Sequence, residues 1–343
     1  MRRAGRVLLL AAIVAVLIGV LELLHVSAAT LIGSLAGALA FSLVLRQELR
    51  FPEPLYLLGQ AMLGASIGAS IDLDTLRSIG GDWPVVLLVS VATILGSVVL
   101  GLMLSARGTI TRETAVFSSV PGGASGLTVM SRDLGADDRV VTVLQYLRVV
   151  IIVASLPFIV NLVFHPSDSG GSARIASTEH LLPALLFTAF SVAVGLVLGR
   201  LARLPAGGVF GPMLVAAIVH GWFGAVGVPN ALQQAAFVLI GLSVGLRFTR
   251  AAFATIRSLL PLALLNIVIV MIMCAALGAW LAHVTDLSPL DGYLATTPGG
   301  FSAVLAIATT TGGDLTFVTA AQLVRLLMIL AGAPIFAWFL RRR

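Results

Sequence analysis

The chain has 343 residues, 59% of them hydrophobic and 10% charged, and a mean hydropathy of +1.07. A soluble core of this length cannot hide so much apolar surface, so the composition marks an integral membrane protein. The formal charge of +6 is carried in short basic clusters between apolar runs, the pattern of cytoplasmic flanks rather than of a nucleic-acid face.

In chain order, Arg2, Arg3 and Arg6 precede an apolar run from Val7 to Leu24, followed by Val26-Ser27-Ala28. This resembles a secretory signal with its cleavage site. The run is longer than a signal core, however, and its counterpart in the second half, Leu181 to Leu201, is internal, so it is read as a first spanning helix. Spans are predicted at about 7–24, 27–45, 55–71, 83–105 and 140–164, each near the length that crosses roughly 30 Å of hydrocarbon. The apolar segment 114–131 is interrupted by Pro121-Gly122-Gly123. The plan recurs at about 181–200, 207–224, 231–247, 260–282 and 314–340, with 292–311 interrupted by Pro298-Gly299-Gly300.

A slide of 177 positions superimposes Pro121, Gly122, Gly123 and Ser125 on Pro298, Gly299, Gly300 and Ser302 without a gap. It also brings Gly135 onto Gly312, Asp137 onto Asp314, Gln145 onto Gln322, Arg148 onto Arg325 and Pro157 onto Pro334. Over the 37 positions from Pro121 to Pro157, 13 are identical, and many are polar, Gly or Pro, which hydrophobic bias does not supply. Gly64, Ser66 and Gly68 fall on Gly241, Ser243 and Gly245 at the same offset, and Gly33 falls on Gly211 with a slip of one. The chain is therefore a duplication: repeat one at 1–164, a polar linker at 165–180 and repeat two at 181–343.

Loop charges decide how the halves are oriented. If the broken segments re-enter, each half has five spans. With the N-terminus inside, Arg46, Arg50, Arg107, Arg112, Arg132, Arg139, Arg200, Arg203, Arg247, Arg250, Arg257 and Arg341 to Arg343 then fall inside. Glu22, Asp72, Asp74, Asp82, Asp286, Asp291 and Asp314 fall outside, and only Arg77 and Arg174 break the rule. Equivalent loops carry opposite bias, acidic at 72–82 against basic at 247–257, which is what inversion requires. Six parallel spans per half would instead place Arg200, Arg203, Arg247, Arg250 and Arg257 outside. The expected fold is an all-α membrane protein of two inverted five-span repeats, each with a Pro-Gly-Gly broken or re-entrant segment, and with both termini cytoplasmic.

A break inside an apolar segment frees backbone groups that lipid cannot satisfy, so it faces protein or a water-filled cavity. The half-helix starting near Ser125 or Ser302 would present unpaired N–H groups and a partial positive charge, suited to an anion; a packing kink is the plainer alternative. Arg148 and Arg325 fall about ten and eleven residues into their spans, near the bilayer middle at roughly 1.5 Å per residue. A midplane arginine costs at least about 2.5 kcal/mol to insert, so each should face the interior with a partner. Gln145 and Gln322, three residues earlier, share their helix faces. Two roles are open to the arginines: bonding the freed carbonyls of the broken segments, or clamping a carboxylate or phosphate. Both are compatible with different stages of a transport cycle. Asp137 and Asp314 read as helix N-caps, with a coupling-ion site as the alternative. No other carboxylate pair lies at membrane depth to support a proton relay.

Gly64-Ala65-Ser66-Ile67-Gly68 and Gly241-Leu242-Ser243-Val244-Gly245 fit the pattern of a hydrolase nucleophile elbow, but they lie in spanning helices, where small residues serve close packing. His25, His165, His180, His220 and His283 form no metal-ligand spacing, and the lone Cys274 sits in an apolar run. No catalytic residue, metal or cofactor is expected.

Pro-Gly-Gly, the Gly-Ala-Asp or Gly-Gly-Asp turn, and Gln-x-x-Arg ahead of an apolar helix, each present twice, resemble the AbrB family of bacterial membrane proteins. That family is known for an internal membrane duplication, and its members have been labelled ammonia monooxygenases or regulators. The resemblance covers nearly the whole chain and implies an inner-membrane protein. The enzyme label would need metal ligands that the sequence does not offer, and the regulator label lacks a soluble DNA-binding module. The inverted five-span plan is similar at fold level to bile-acid-symporter-like and antiporter-like carriers.

The leading expectation is a secondary transporter of a small anionic or zwitterionic metabolite working by alternating access. Its substrate-binding residues would be Pro121, Gly122, Gly123, Ser125, Gln145 and Arg148 with Pro298, Gly299, Gly300, Ser302, Gln322 and Arg325. Partners would be the lipid bilayer, the metabolite, a coupling ion and a second copy of the chain, and not nucleic acid. The alternatives are a non-transporting regulator of gene expression or of a cytoplasmic partner, acting through 247–257 and the terminal arginines, and a membrane enzyme.

Overall fold

The computed structural model describes the chain apart from residues 1–2, 25, 27, 46–48, 72–80, 106–109, 122–134, 165–180, 205, 224–226, 286 and 342–343, with backbone only at 330 and 333–341. Among the described residues every regular element is helical. The first repeat forms α1 (Arg3–Leu23), α2 (Ala29–Leu39, continued by a π-helical turn Ala40–Val44), α3 (Glu53–Gly68), α4 (Trp83–Ser105), α5 (Arg112–Ser119) and α6 (Asp138–Ile159, continued by a π-helical turn Val160–Phe164). The second forms α7 (Leu181–Leu201), α8 (Gly207–Phe223), α9 (Asn230–Gly245), α10 (Arg250–Ile256), α11 (Leu260–Val284), α12 (Pro289–Thr296), α13 (Phe301–Thr311) and α14 (Leu315–Arg341).

The duplication is visible in where helices start. Glu53 and Asn230, Trp83 and Leu260, Arg112 and Pro289, and Asp138 and Leu315 each open a helix and each differ by 177. Local chemistry explains the shared starts. Extended prolines, Pro52 and Pro229, precede α3 and α9, and hydroxyls cap α5 and α12, as orphan N-terminal amides require.

Among the described residues, five helical stretches are long and apolar enough to cross a membrane: Ala4–Leu23, Trp83–Ser105, Asp138–Phe164, Leu181–Leu201 and Leu260–Val284. Their outward residues, among them Leu8, Val16, Met103, Leu182, Leu186 and Ile272, are exposed, which suits lipid and not water. The protein is a multi-pass helical membrane protein. Helices α3 and α9 are shorter than the spans expected at 55–71 and 231–247. Each has 16 residues and ends on the last glycine of its Gly-x-Ser-x-Gly run, giving about 24 Å of helix.

Packing divides the chain differently from the duplication, because each repeat contributes to two compact units. The first unit comprises Met1–Leu73, Val153–Thr249 and Leu305–Thr316, and holds α1, α2, α3, α7, α8 and α9. Here α3 packs on α8 and α9, α9 on α2, and α8 on α7. The Gly-x-Ser-x-Gly runs are the seams. A Cβ on Gly64 would stand 2.2 Å from the Val209 carbonyl oxygen, and one on Gly68 2.1 Å from that of Met213. A Cβ on Gly241 or Gly245 would stand 2.7 Å from the carbonyl oxygen of Leu31 or Leu35, respectively. Backbones this close need glycine.

The second unit comprises Asp74–Ile152, Arg250–Val304 and Phe317–Arg343. In it α4 packs on α5 and α11, and α11 on α12. One core cluster joins Ile94 of α4, Val116 and Phe117 of α5, Val141 of α6 and Ile329 of α14. A second joins Val86 and Val89 of α4, Leu281 of α11, Ala295 of α12, and Phe317 and Ala321 of α14. The two short helices α5 and α12 are thereby held in apolar surroundings.

Candidate functional site

The site is built from α5 and α12, two eight-residue helices that stop inside the second unit. Thr111 opens α5, its Oγ1 accepting from the Thr114 amide at 3.3 Å, and Ser288 opens α12, its Oγ accepting from the Asp291 amide at 3.1 Å. Thr111 and Ser288 are themselves 177 positions apart. Each helix ends at the residue before proline. Val120 (φ −68°, ψ 125°) and Thr297 (φ −52°, ψ 127°) have both left helical geometry, because the following ring disfavours the α region and supplies no N–H. Each short helix therefore ends with unbonded carbonyls and the negative end of its dipole among buried residues.

The duplicated glutamines and arginines meet those carbonyls. Gln145 Nε2 donates to the Phe117 carbonyl at 2.7 Å, and Gln322 Nε2 to the Leu294 carbonyl at 2.8 Å. The Arg148 guanidinium donates to the Ser119 carbonyl at 3.0 Å, and that of Arg325 to the Thr296 carbonyl at 2.7 Å. Donor and acceptor in each of these bonds shift by the same 177 positions. The sequence reading that bonds the arginines to the freed carbonyls thus describes the geometry present. A basic group at a helix C-terminus also opposes the dipole there.

The two copies differ in how completely they are satisfied. Arg325 also donates to the Thr297 carbonyl at 2.9 Å and to Gln322 Oε1, while Gln322 donates to the Thr297 carbonyl at 3.2 Å. In the first copy, Gln145 Oε1 and Arg148 Nε have no hydrogen-bond partner among the described residues. Gln145 is 1% exposed and Arg148 5%, against 2% and 4% for Gln322 and Arg325. Burial is equal, so the difference lies in bonding, and each buried group left unpaired costs about 1–3 kcal/mol. Among the described residues neither arginine donates to a carboxylate; their acceptors are carbonyl oxygens. Beside Arg325 lies a cavity of about 10 Å³, lined also by Ser90, Thr93 and Thr296, room for about one water.

The remaining expected site residues fall as follows. Pro121 is buried directly after α5, while Gly122, Gly123 and Ser125 lie outside the described residues. Pro298, Gly299 and Gly300 connect α12 to α13, and Ser302 is half-buried in the first turn of α13. A Cβ on Gly299 would stand 2.6 Å from Val304 Cγ2 and 3.2 Å from Ile152 Cγ2. Asp137 Oδ1 accepts from the amides of Arg139 and Val140 at 3.0 and 3.2 Å, an N-cap on α6, and Asp314 directly precedes α14. Gly135 and Gly312 take left-handed φ of 78° and 74°, the conformation that glycine adopts without steric cost. One contributor escaped the sequence reading: Asn266 of α11, whose Nδ2 donates to Ser119 Oγ at 3.0 Å. A single Asn within an apolar 25-residue helix was the available signal. Thr296 Oγ1 donates to the Cys274 carbonyl at 2.8 Å, fastening α12 to α11. Among the described residues no His, Cys, Asp or Glu group could hold a metal.

The family model described as "Transition state regulatory protein AbrB" matches residues 30–341. The chain belongs to the AbrB family. An AbrB relative from Escherichia coli (strain K12), named "Putative regulator AbrB", is 30% identical over 317 residues, covering 92% of this chain and 91% of the relative. The Bacillus subtilis (strain 168) protein YhjN is 26% identical over 294 residues, covering 81% of this chain and 77% of that protein. The residues matched by the family model, 30–341, include both Pro-Gly-Gly breaks.

Proposed function

We propose that this AbrB-family chain is a secondary carrier, not an enzyme, that moves a small anionic or zwitterionic metabolite across the bacterial inner membrane by alternating access. The observation that carries this reading is the pair of buried guanidiniums, neither matched by a carboxylate among the described residues, beside two helices that stop in apolar surroundings. Interrupted helices at membrane depth are tolerated where they line protein or a water-filled cavity, and carriers use them to hold charged substrates. The loop-charge bias supports inverted five-span halves with both termini cytoplasmic. Within this reading, the Pro-Gly-Gly connections, with Ser125, Ser302, Gln145 and Arg148, form the substrate path, Gln322 and Arg325 hold the second break in place, and the two packing units provide the bodies an alternating cycle needs. Asp137 and Asp314 act as caps, with a coupling ion assigned to neither.

A second reading, a membrane-bound regulator, is favoured by the printed names of the family model and of the Escherichia coli relative. Proteoliposomes separate the two. The carrier reading expects accumulation of at least one member of a panel of radiolabelled amino and organic acids, lost in Arg148→Gln with the variant still folded. Accumulation of none by the wild type, or full accumulation by Arg148→Gln, favours the regulator.

A further inference from the structure

We infer that the two Gln-x-x-Arg pairs have divided their labour: Gln322 and Arg325 are a structural pin, while Gln145 and Arg148 contact a ligand that carries a carboxylate with a hydrogen-bond donor on the adjacent carbon. The inference rests on the carrier reading and deepens it by naming the half-site and the substrate class.

The argument compares the copies bond for bond. In the second, the Gln322 amide oxygen accepts from Arg325, and the guanidinium spans both the Thr296 and Thr297 carbonyls. That pair is closed on itself, and the cavity beside Arg325 holds about 10 Å³, too little for anything larger than about one water. In the first copy, a single bond to the Ser119 carbonyl holds Arg148, and one to the Phe117 carbonyl holds Gln145. Arg148 Nε and Gln145 Oε1 are left without partners among the described residues, on side chains more than nine-tenths buried. One is a charged donor and the other a neutral acceptor, three residues apart and hence on one helix face.

A ligand matching both groups offers an acceptor to the guanidinium and a donor to the amide oxygen. A carboxylate oxygen fits the first, since planar guanidinium favours carboxylates. An N–H or O–H on the adjacent carbon fits the second. A simple carboxylate would leave Gln145 Oε1 facing only lone pairs. The chemistry is therefore that of 2-amino or 2-hydroxy acids, and a site built to hydrogen-bond such a group rejects analogues lacking it by large factors.

The test measures binding of propionate, lactate and alanine to the purified full chain in detergent. The expected result is binding of alanine, lactate or both at least about tenfold more tightly than propionate. Alanine alone identifies a zwitterion; alanine and lactate alike identify 2-substituted acids in general. Gln145→Leu should equalise the three, Arg148→Lys should weaken all of them, and Gln322→Leu should leave the ranking unchanged. Should Gln145→Leu fail to fold, the wild-type ranking and Arg148→Lys still decide. Propionate binding as tightly as the others overturns the donor requirement while leaving the carrier reading standing. Binding of none of the three overturns the ligand assignment. Loss of the ranking in Gln322→Leu overturns the division of labour. The carrier reading fails separately, by absence of accumulation in proteoliposomes.

Discussion

Replacing each of the two buried arginines, Arg148 and Arg325, by methionine, which keeps an apolar stem and removes the guanidinium, should affect stability very differently in the two copies. Arg325→Met orphans the Thr296 carbonyl and Gln322 Oε1, and leaves the Thr297 carbonyl only its bond from Gln322 Nε2. At about 1–3 kcal/mol per buried group left unpaired, the Thr296 carbonyl and Gln322 Oε1 together cost about 2–6 kcal/mol. Arg148→Met orphans only the Ser119 carbonyl, about 1–3 kcal/mol, and at the same time removes an Nε that already lacks a partner, an offset of similar size. Its net effect should lie near zero to about 2 kcal/mol. Between the middles of the two ranges the variants differ by about 3 kcal/mol, roughly a 150-fold difference in the folding equilibrium. Denaturant titration of the purified variants in one detergent, followed by far-ultraviolet circular dichroism, measures it. Equal losses, or a larger loss in Arg148→Met, would refute the bonding asymmetry on which the two roles rest.

Other consequences follow from single positions. Gly68→Val places its Cβ against the Met213 carbonyl oxygen, so folded protein recovered by size-exclusion chromatography should fall sharply; Ser66→Ala in the same run should leave yield and transport unchanged. Loss of transport in Ser66→Ala would restore the nucleophile reading. Asp137→Ala removes the acceptor for the Arg139 and Val140 amides and should cost about 1 kcal/mol, whereas Asp137→Asn should cost only a few tenths. Gly312→Ala forces an L side chain into φ of 74° and should cost about 1–2 kcal/mol, read in the same titration.

Much of this arrangement was legible in the sequence because its signals are polar residues in apolar surroundings. Pro121 and Pro298 announced the helix breaks, and Gln-x-x-Arg announced a buried polar face, since lipid tolerates neither without a partner. The 177-residue slide anticipated helix starts such as Glu53 and Asn230, because caps and prolines were duplicated with the rest. The division into packing units was not legible. Whether α4 packs on α11, 177 residues away at their starts, depends on surfaces whose apolar faces read alike in sequence. The bonding asymmetry was equally hidden: Gln145 and Gln322 have the same residue type and spacing, and only the placement of neighbouring carbonyls distinguishes them. Asn266 was overlooked because it has no counterpart in the first repeat, where Val89 occupies the equivalent position.

The most direct test of the carrier account is the accessibility of single cysteines at Ser125 and Ser302 in a Cys274→Ala background, with a small water-soluble thiol reagent applied to each side of the membrane in turn. Cys274 is the chain's single cysteine, so its removal leaves the introduced cysteine as the sole thiol. The account predicts labelling at both positions, with protection by a carboxylate ligand. No labelling from either side would contradict it and leave the Pro-Gly-Gly segments as sealed packing breaks.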